Sequence, residues 1–192
     1  MSWLTANESC GAHAPSWYVA QTPPDPPAPA LSGDVRAEVC VIGAGFTGLS
    51  AALHLAADGR DVRVLEAHRV GWGASGRNGG QVSPGFNRGV SRLVGALGAA
   101  RARALWALSV DAVALTRDLI ARHAPEAGFR PGIVHGDWAP GAAEAMAAEI
   151  AELGQTCDYN ALHLLDAAET ARLTGTTAFG AAALDTGAGR CQ

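Results

Sequence analysis

Val39-Cys40-Val41-Ile42-Gly43-Ala44-Gly45-Phe46-Thr47-Gly48, followed by Asp61-Val62-Arg63-Val64-Leu65-Glu66, decides the fold of this 192-residue chain. The apolar, β-branched run Val39 to Ile42 is a strand that delivers the backbone to a tight turn, where Gly43 takes angles that a side chain disfavours. Gly45 lets the main chain approach a pyrophosphate, and Gly48 removes the Cβ that would hold the next helix off the strand. That helix, read from Phe46 to Ala57, presents unpaired N–H groups and a partial positive charge to an anion. Asp58-Gly59-Arg60 stops it. A second strand then ends at Glu66, about 20 residues beyond the glycines, where a carboxylate can accept hydrogen bonds from both ribose hydroxyls and repels a 2′-phosphate. Gly-x-Gly-x-x-Gly alone is a weak signal. Set after a strand, opening a helix and preceding a second strand that ends in an acid, it reads as a dinucleotide-binding βαβ unit.

Val39 to Ala57 carries no charged residue and approaches the length of a membrane span. Three glycines interrupt it, Thr47, Ser50 and His54 make it polar, and its pattern changes from strand to helix at the glycines. The reading is therefore a βα unit and no membrane span.

Composition narrows the rest. With 48% apolar residues the chain can bury a core. A net charge of −4 argues against a nucleic-acid partner, since no segment supplies a basic stripe. All 14 basic residues are arginines, which excludes a Schiff-base lysine, a P-loop Gly-Lys-Ser and a lysine general base within this chain. Cys10, Cys40, Cys157 and Cys191 form no Cys-x-x-Cys pair and read as reduced thiols, with Cys40 a small core residue of the first strand. The six histidines, His13, His54, His68, His123, His135 and His163, show no metal-ligand spacing, so no metal site is expected. His54 reads as a packing or surface residue, Arg63 as a solvated partner of Asp61, and His135 as the one histidine to test as a substrate contact. The residues Met1-Ser2-Trp3-Leu4 reach Glu8 before any basic residue, the wrong order for a secretory signal, so the cytoplasm is the default location.

Along the chain, residues 1 to about 21 carry Trp3, Trp17 and Tyr18, which either pin the arm to the body of the protein or decorate a loose leader. Thr22 to Ala30 is a Pro-rich, extended spacer. Arg103 to Arg122 reads as a helix with Leu105, Leu108, Ala112, Leu115 and Leu119 on one face, widened by Trp106, Val113 and Ile120, so that Trp106 serves the core and not a ligand. Phe129 to Trp138 is an edge or bent strand because it contains Pro131. Asp137 and Pro140 start a helix that puts Met146, Ile150 and Leu153 on one face and ends at Gly154. A strand at Ala161 to Leu165, a capping box from Asp166 to Glu169 opening a helix through Leu173, and a strand from Phe179 to Asp185 complete the pattern.

The second glycine-rich segment, Gly71-Trp72-Gly73-Ala74-Ser75-Gly76-Arg77-Asn78-Gly79-Gly80-Gln81, also has chemistry in it. Arg77 can offset pyrophosphate charge, Ser75 and Asn78 can bond phosphate or ring polar atoms, and Gly79-Gly80 leaves room for a flat ring. Read alone, it is equally a flexible surface loop.

Taken together, Ile42 to Ala52, Leu65-Glu66-Ala67 and Val70 to Gln81 resemble the FAD-dependent oxidoreductases of the D-amino-acid oxidase superfamily, in particular the γ-glutamylputrescine oxidase-like branch. The resemblance implies that Gly43, Gly45, Phe46, Thr47 and Gly48 line the FAD pyrophosphate, that Glu66 holds the adenosine ribose, and that Ser75, Arg77, Asn78, Gly79, Gly80 and Gln81 run toward the flavin. It implies an α/β fold: an incomplete Rossmann-like FAD-binding βαβ unit followed by a helical segment and part of an α+β substrate domain. The expected divisions are an arm and spacer at 1–34, the βαβ unit and flavin loop at 35–90, and the helical segment with a partial substrate domain at 91–192. The implied activity is oxidation of a C–N bond in an amine or amino acid by hydride transfer to flavin, with imine hydrolysis and release of peroxide. No catalytic residue is marked. Members of that family run on well past Arg190-Cys191-Gln192, so the resemblance also implies an N-terminal fragment or truncated product. The alternatives are a non-catalytic dinucleotide-binding protein and an NAD-dependent dehydrogenase, the latter disfavoured because a Gly-rich loop stands where the next Rossmann helix belongs.

Overall fold

The computed structural model describes residues 11–22 and 24–191, so Trp3, Cys10 and the expectations attached to them lie outside the described residues. The chain divides between Gly79 and Gly80 into two compact units.

The first unit is built on one βαβ turn. Strand β1 (Val39–Ile42) pairs in parallel with β2 (Val62–Leu65), Val39 opposite Val62 and Ile42 opposite Leu65. Between them runs a helix over Phe46–Ala57, α2, which ends at Asp58 and is followed by Gly59 at φ 82°. The helix covers one face of the pair. Cys40 and Ile42 point to the other face, and Ile42 is 87% exposed. Cys40 is therefore exposed rather than a core residue, because alternation in a strand guarantees burial only where both faces are covered. Arg63 pairs with Asp61 at 3.6 Å in solvent, and His54 Nδ1 lies 2.7 Å from the Ser50 carbonyl, as solvated surface residues. Ahead of β1, a five-residue helix α1 (Trp17–Gln21) is capped by Ser16, and residues 24–30 of the proline segment have no regular structure. Among the described residues, the loop after β2 ties the arm down. Arg69 Nε donates to the Gly11 carbonyl, Arg69 Nη1 to the Asp25 carbonyl at 3.4 Å, and Trp72 Nε1 to the Ala12 carbonyl at 2.7 Å. Trp17 remains exposed.

The second unit is an antiparallel sheet with helices packed on it. Its central strand β6 (Ala181–Arg190) is flanked on one side by β4 (Arg130–Asp137) and on the other by β5 (Leu162–Leu165) and the two-residue β3 (Gln81–Val82). Pro131 does lie on an edge strand, and the register shifts between Pro131 and Ile133. β6 extends five residues beyond Asp185, and Gly189 and Arg190 at its end pair with both β3 and β4 where composition suggests a turn.

Helices α3 (Val90–Leu97) and α4 (Ala99–His123) are separated by Gly98 at φ 80°. The buried stripe of α4 is Ala102, Trp106, Ser109 and Val113, whereas Leu108 and Leu115 are exposed. The expected leucine face is thus not the packed one. Ser109, which a hydrophobic pattern discounts, sits in the core with both of its needs met: it accepts the Gly85 N–H at 2.8 Å and donates to the Trp106 carbonyl at 2.6 Å. Helix α5 (Ala142–Cys157) runs a turn past Gly154, which serves as a helix-interior residue. The chain leaves the helix at Asp158, which takes the left-handed conformation at φ 54°. The capping box of α6 (Ala167–Thr174) forms as expected: Asp166 accepts the Glu169 N–H at 2.8 Å, and the Glu169 carboxylate accepts the Asp166 N–H at 3.2 Å. Val90, Trp106, Leu153 and Tyr159 form the core of this unit.

Candidate cofactor site

The turn from β1 into α2 is shaped by contacts that reach it from β2 and the loop beyond. Gly43 adopts φ 101°, and its N–H donates to the Leu65 carbonyl at 2.7 Å, locking the turn to the end of β2. A Cβ on Gly48 would fall on the Gly43 carbonyl oxygen and stand 3.2 Å from Val41 Cγ1, so only glycine lets the helix lie this close to the strand. Thr47 is exposed in the first turn.

Glu66 stands at the same turn. One carboxylate oxygen accepts the Ala44 N–H at 2.7 Å and the other accepts the His68 N–H at 3.0 Å. These two bonds, Ala44's first, hold the carboxyl below the usual carboxylate range, so it is ionised at neutral pH. Each oxygen has two lone pairs, and one backbone N–H apiece leaves capacity for further donors. Ala44 is the residue that the sequence does not single out. It is buried, its N–H meets Glu66, and its carbonyl accepts the Gly71 N–H at 2.9 Å, so it joins the two glycine-rich segments through its backbone. A backbone role of this kind leaves no mark on residue type.

Ser75 closes the other side. It lies in a short 3-10 turn, Ala74–Gly76, and its Oγ accepts the Phe46 N–H at 2.9 Å. Gly43, Gly45, Phe46, Thr47, Gly48, Glu66 and Ser75 are thereby brought together. Arg77 and Asn78 are turned back onto their own loop. Arg77 Nε donates to the Trp72 carbonyl at 3.0 Å and its guanidinium lies 4.3 Å from the Trp72 ring centre, while Asn78 Nδ2 donates to the Ser75 carbonyl at 2.8 Å. Trp72 also stacks on His68 at 4.1 Å, making it the hub of this loop. Gly79 ends the first unit. Gly80 and Gln81 belong to the second, where Gly80 accepts the Cys191 N–H at 2.9 Å and Gln81 pairs with Arg190 in the sheet.

Within the second unit a cavity of about 420 Å³ is lined by His135, Trp106, Tyr159, Glu149 and Asp185 among others. Trp106 therefore serves the core and faces a cavity, and its indole N–H is buried with no partner among the described residues. Tyr159 donates to Asp185 at 2.5 Å, and burial together with that carboxylate pushes its phenol well above its usual value. Among the described residues no group of His, Cys, Asp or Glu is placed to hold a metal, and no helix is long and apolar enough to cross a membrane.

Residues 38–192 match the family model described as DAO, FAD dependent oxidoreductase. Over 120 residues the chain is 41% identical to gamma-glutamylputrescine oxidoreductase of Escherichia coli strain K12, covering 62% of this chain and 28% of that protein. A probable oxidoreductase OrdL of Haemophilus influenzae matches with the same identity and the same shares. The chain thus spans little more than a quarter of the length of these relatives. Among solved structures, the L-amino acid deaminase of Proteus myxofaciens is similar at a TM-score of 0.63 and 21% identity, over 85% of this chain and 35% of that one. The L-proline dehydrogenase of P. horikoshii gives 0.55 and 20%, over 81% and 38%. Both likenesses concern the fold.

Proposed function

Because the chain belongs to the DAO family of FAD-dependent oxidoreductases, we propose that its β1–α2 turn holds the adenosine diphosphate end of FAD for an enzyme that oxidises the C–N bond of an amine or amino acid. The observation that carries this reading is the 2.7 Å bond from the Ala44 N–H to Glu66, which stands an ionised acid beside the first turn of α2.

The residues fit the group. Glu66 has lone pairs to spare for two ribose hydroxyls, Gly45 and Gly48 keep the turn clear of side chains, and the end of α2 favours a diphosphate with no lysine needed. An acid at this position disfavours a 2′-phosphate, which favours FAD or NAD over NADP. Ser75, Arg77, Asn78, Gly79, Gly80 and Gln81 form the stretch that leads toward the ring system in this reading. Bound there, FAD would supply a two-electron acceptor for the hydride of the amine-bearing carbon, with water to hydrolyse the imine and dioxygen as the final acceptor, giving hydrogen peroxide. The substrate class is taken from the names of the relatives, which include an oxidoreductase of gamma-glutamylputrescine. The chain's own contribution is to bind and to orient.

The test is direct. The purified 192-residue chain is mixed with FAD, passed through a desalting column, and its visible spectrum and flavin fluorescence are recorded. Retained yellow colour with altered flavin emission is expected, and Gly48→Ala should lose it by forcing α2 off the strand. A colourless wild-type chain with unaltered free-flavin emission at saturating FAD defeats the reading.

A further inference from the structure

We propose that the arm ahead of β1 is a strap across the second glycine-rich segment, held by Arg69 and Trp72 as positioning residues, and that its closure is coupled to filling of the β1–α2 turn. The coupling rests on the cofactor reading above. Among the described residues three side-chain bonds tie the arm to the segment after β2, and each is donated to a main-chain carbonyl of the arm. Arg69 reaches both sides of α1, the Gly11 carbonyl before it through Nε and the Asp25 carbonyl beyond it through Nη1, so one guanidinium closes the arm into a loop. Trp72 adds the bond from its indole N–H to the Ala12 carbonyl at 2.7 Å. Every residue of α1 is exposed or half-buried, and a helix of five residues is not stable by itself, so these bonds carry much of the order of the arm. Since the acceptors are carbonyls, the information that places the arm resides in Arg69 and Trp72.

The strap and the β1–α2 turn grip the same short stretch of chain. A Cβ on Gly76 would stand 3.9 Å from His13 Nδ1, so the arm passes within van der Waals reach of the 3-10 turn Ala74–Gly76. From the other partner, the Ala44 carbonyl takes the Gly71 N–H and the Phe46 N–H meets Ser75. Trp72 links the two sets of contacts: its indole N–H holds the arm, its carbonyl takes Arg77 Nε, and its ring stacks on His68 and carries the Arg77 guanidinium. A glycine-rich stretch loses much conformational freedom when it is ordered, and whichever partner orders it first lowers the cost for the other. Such coupling is reciprocal: the factor by which the closed strap tightens the dinucleotide is the factor by which the dinucleotide tightens the strap.

Limited digestion of the full chain with chymotrypsin reads the strap directly, because Trp17 and Tyr18 lie in α1 and an open arm is cut after them. Wild type, Arg69→Ala, Trp72→Phe and the double variant are digested, and fragments are timed by mass spectrometry. Trp72→Phe keeps the ring that meets His68 and Arg77 and removes the donor to Ala12. Without ligand, cleavage in the arm should rise about tenfold in Arg69→Ala, the scale of hydrogen bonds from a charged donor, and about threefold in Trp72→Phe, while cleavage after Phe46 in α2 stays at the wild-type rate. Saturating FAD should slow arm cleavage in wild type by about threefold, and calorimetry should find FAD weakened by a similar factor in the double variant, as reciprocity requires. Arm cleavage at the wild-type rate in both single variants overturns the proposal. So does a rise matched by cleavage after Phe46, which marks loosening of the whole βαβ unit. If wild type binds FAD and its arm is cut at an unchanged rate, the arm and the turn are uncoupled, and the proposal fails while the cofactor reading stands. A wild-type chain that binds no FAD defeats that reading, and the coupling with it.

Discussion

Glu66 acts twice at the β1–α2 turn, and the two actions have the same electrostatic origin. Its oxygens collect the N–H groups of Ala44 and His68, which ties the first glycine-rich turn to the chain just after β2, and the negative charge thus held is the one that a ribose diol would bond. Because those bonds lower its pKa in the folded chain below the ordinary 4.5, folding favours the ionised form. The sign follows: the stabilisation is present in full above the unfolded value and is lost as pH falls through the lowered folded value. Stability should therefore be flat from neutral pH down to about 5 and decline below 4.5. In Glu66→Gln this part of the acid decline should be missing. Thermal melting of the two proteins across pH 3 to 7, in roughly half-unit steps, checks this, and parallel acid profiles would refute it. The side chain is largely solvated, so the effect is modest in size and is read from its position on the pH axis.

At the scale of elements, what the sequence made legible follows from where the information is stored. β1, α2 and β2 lie where their apolar runs and glycines put them, and α6 starts where Asp166 and Glu169 cap it, because these signals act over a few residues. The face of α4 is different. Its leucines form the stronger periodic stripe, yet the packed side is Ala102, Trp106, Ser109 and Val113, selected by α5 and by a loop whose Gly85 N–H needs Ser109. A pattern of apolar residues cannot reveal a hydrogen-bonded serine in a core. α3 escaped the sequence reading although Val90, Leu93, Val94 and Leu97 recur at helical spacing, because the long helix beside it dominates that window. The α4 assignment has a measurable consequence. Leu108→Gln, on the solvated side, should change stability by no more than about 0.5 kcal/mol, while Trp106→Ala, in the core, should cost about 3 to 5 kcal/mol. Denaturant melts of both variants decide which stripe is buried, and a larger loss at Leu108 would return the face to the leucines.

For the molecule as a whole, the two units differ in how completely their sheets are covered. In the second, β6 is paired on both sides, and Ala181, Ala182, Ala183, Asp185 and Ala188 along it are buried. In the first, among the described residues, β1 has one strand beside it and one helix over it, and Ile42, Phe46, Leu53, Val64 and Leu65 remain exposed. Local stability follows buried apolar contact and ladder hydrogen bonds, so the units should open at different free energies. The turn that binds the dinucleotide in our reading lies in the less covered one. Ligand binding stabilises whichever state it selects, in proportion to the logarithm of free ligand over its dissociation constant. Amide hydrogen exchange on the wild-type chain should therefore show Ala182 to Asp185 exchanging more slowly than Val39 to Ile42. Saturating FAD should slow the second group by about a hundredfold at a hundred times its dissociation constant and leave the first near its starting rate. Equal protection of the two strands without FAD would contradict the ordering of the units, and an effect of FAD confined to β6 would move the cofactor away from the β1–α2 turn.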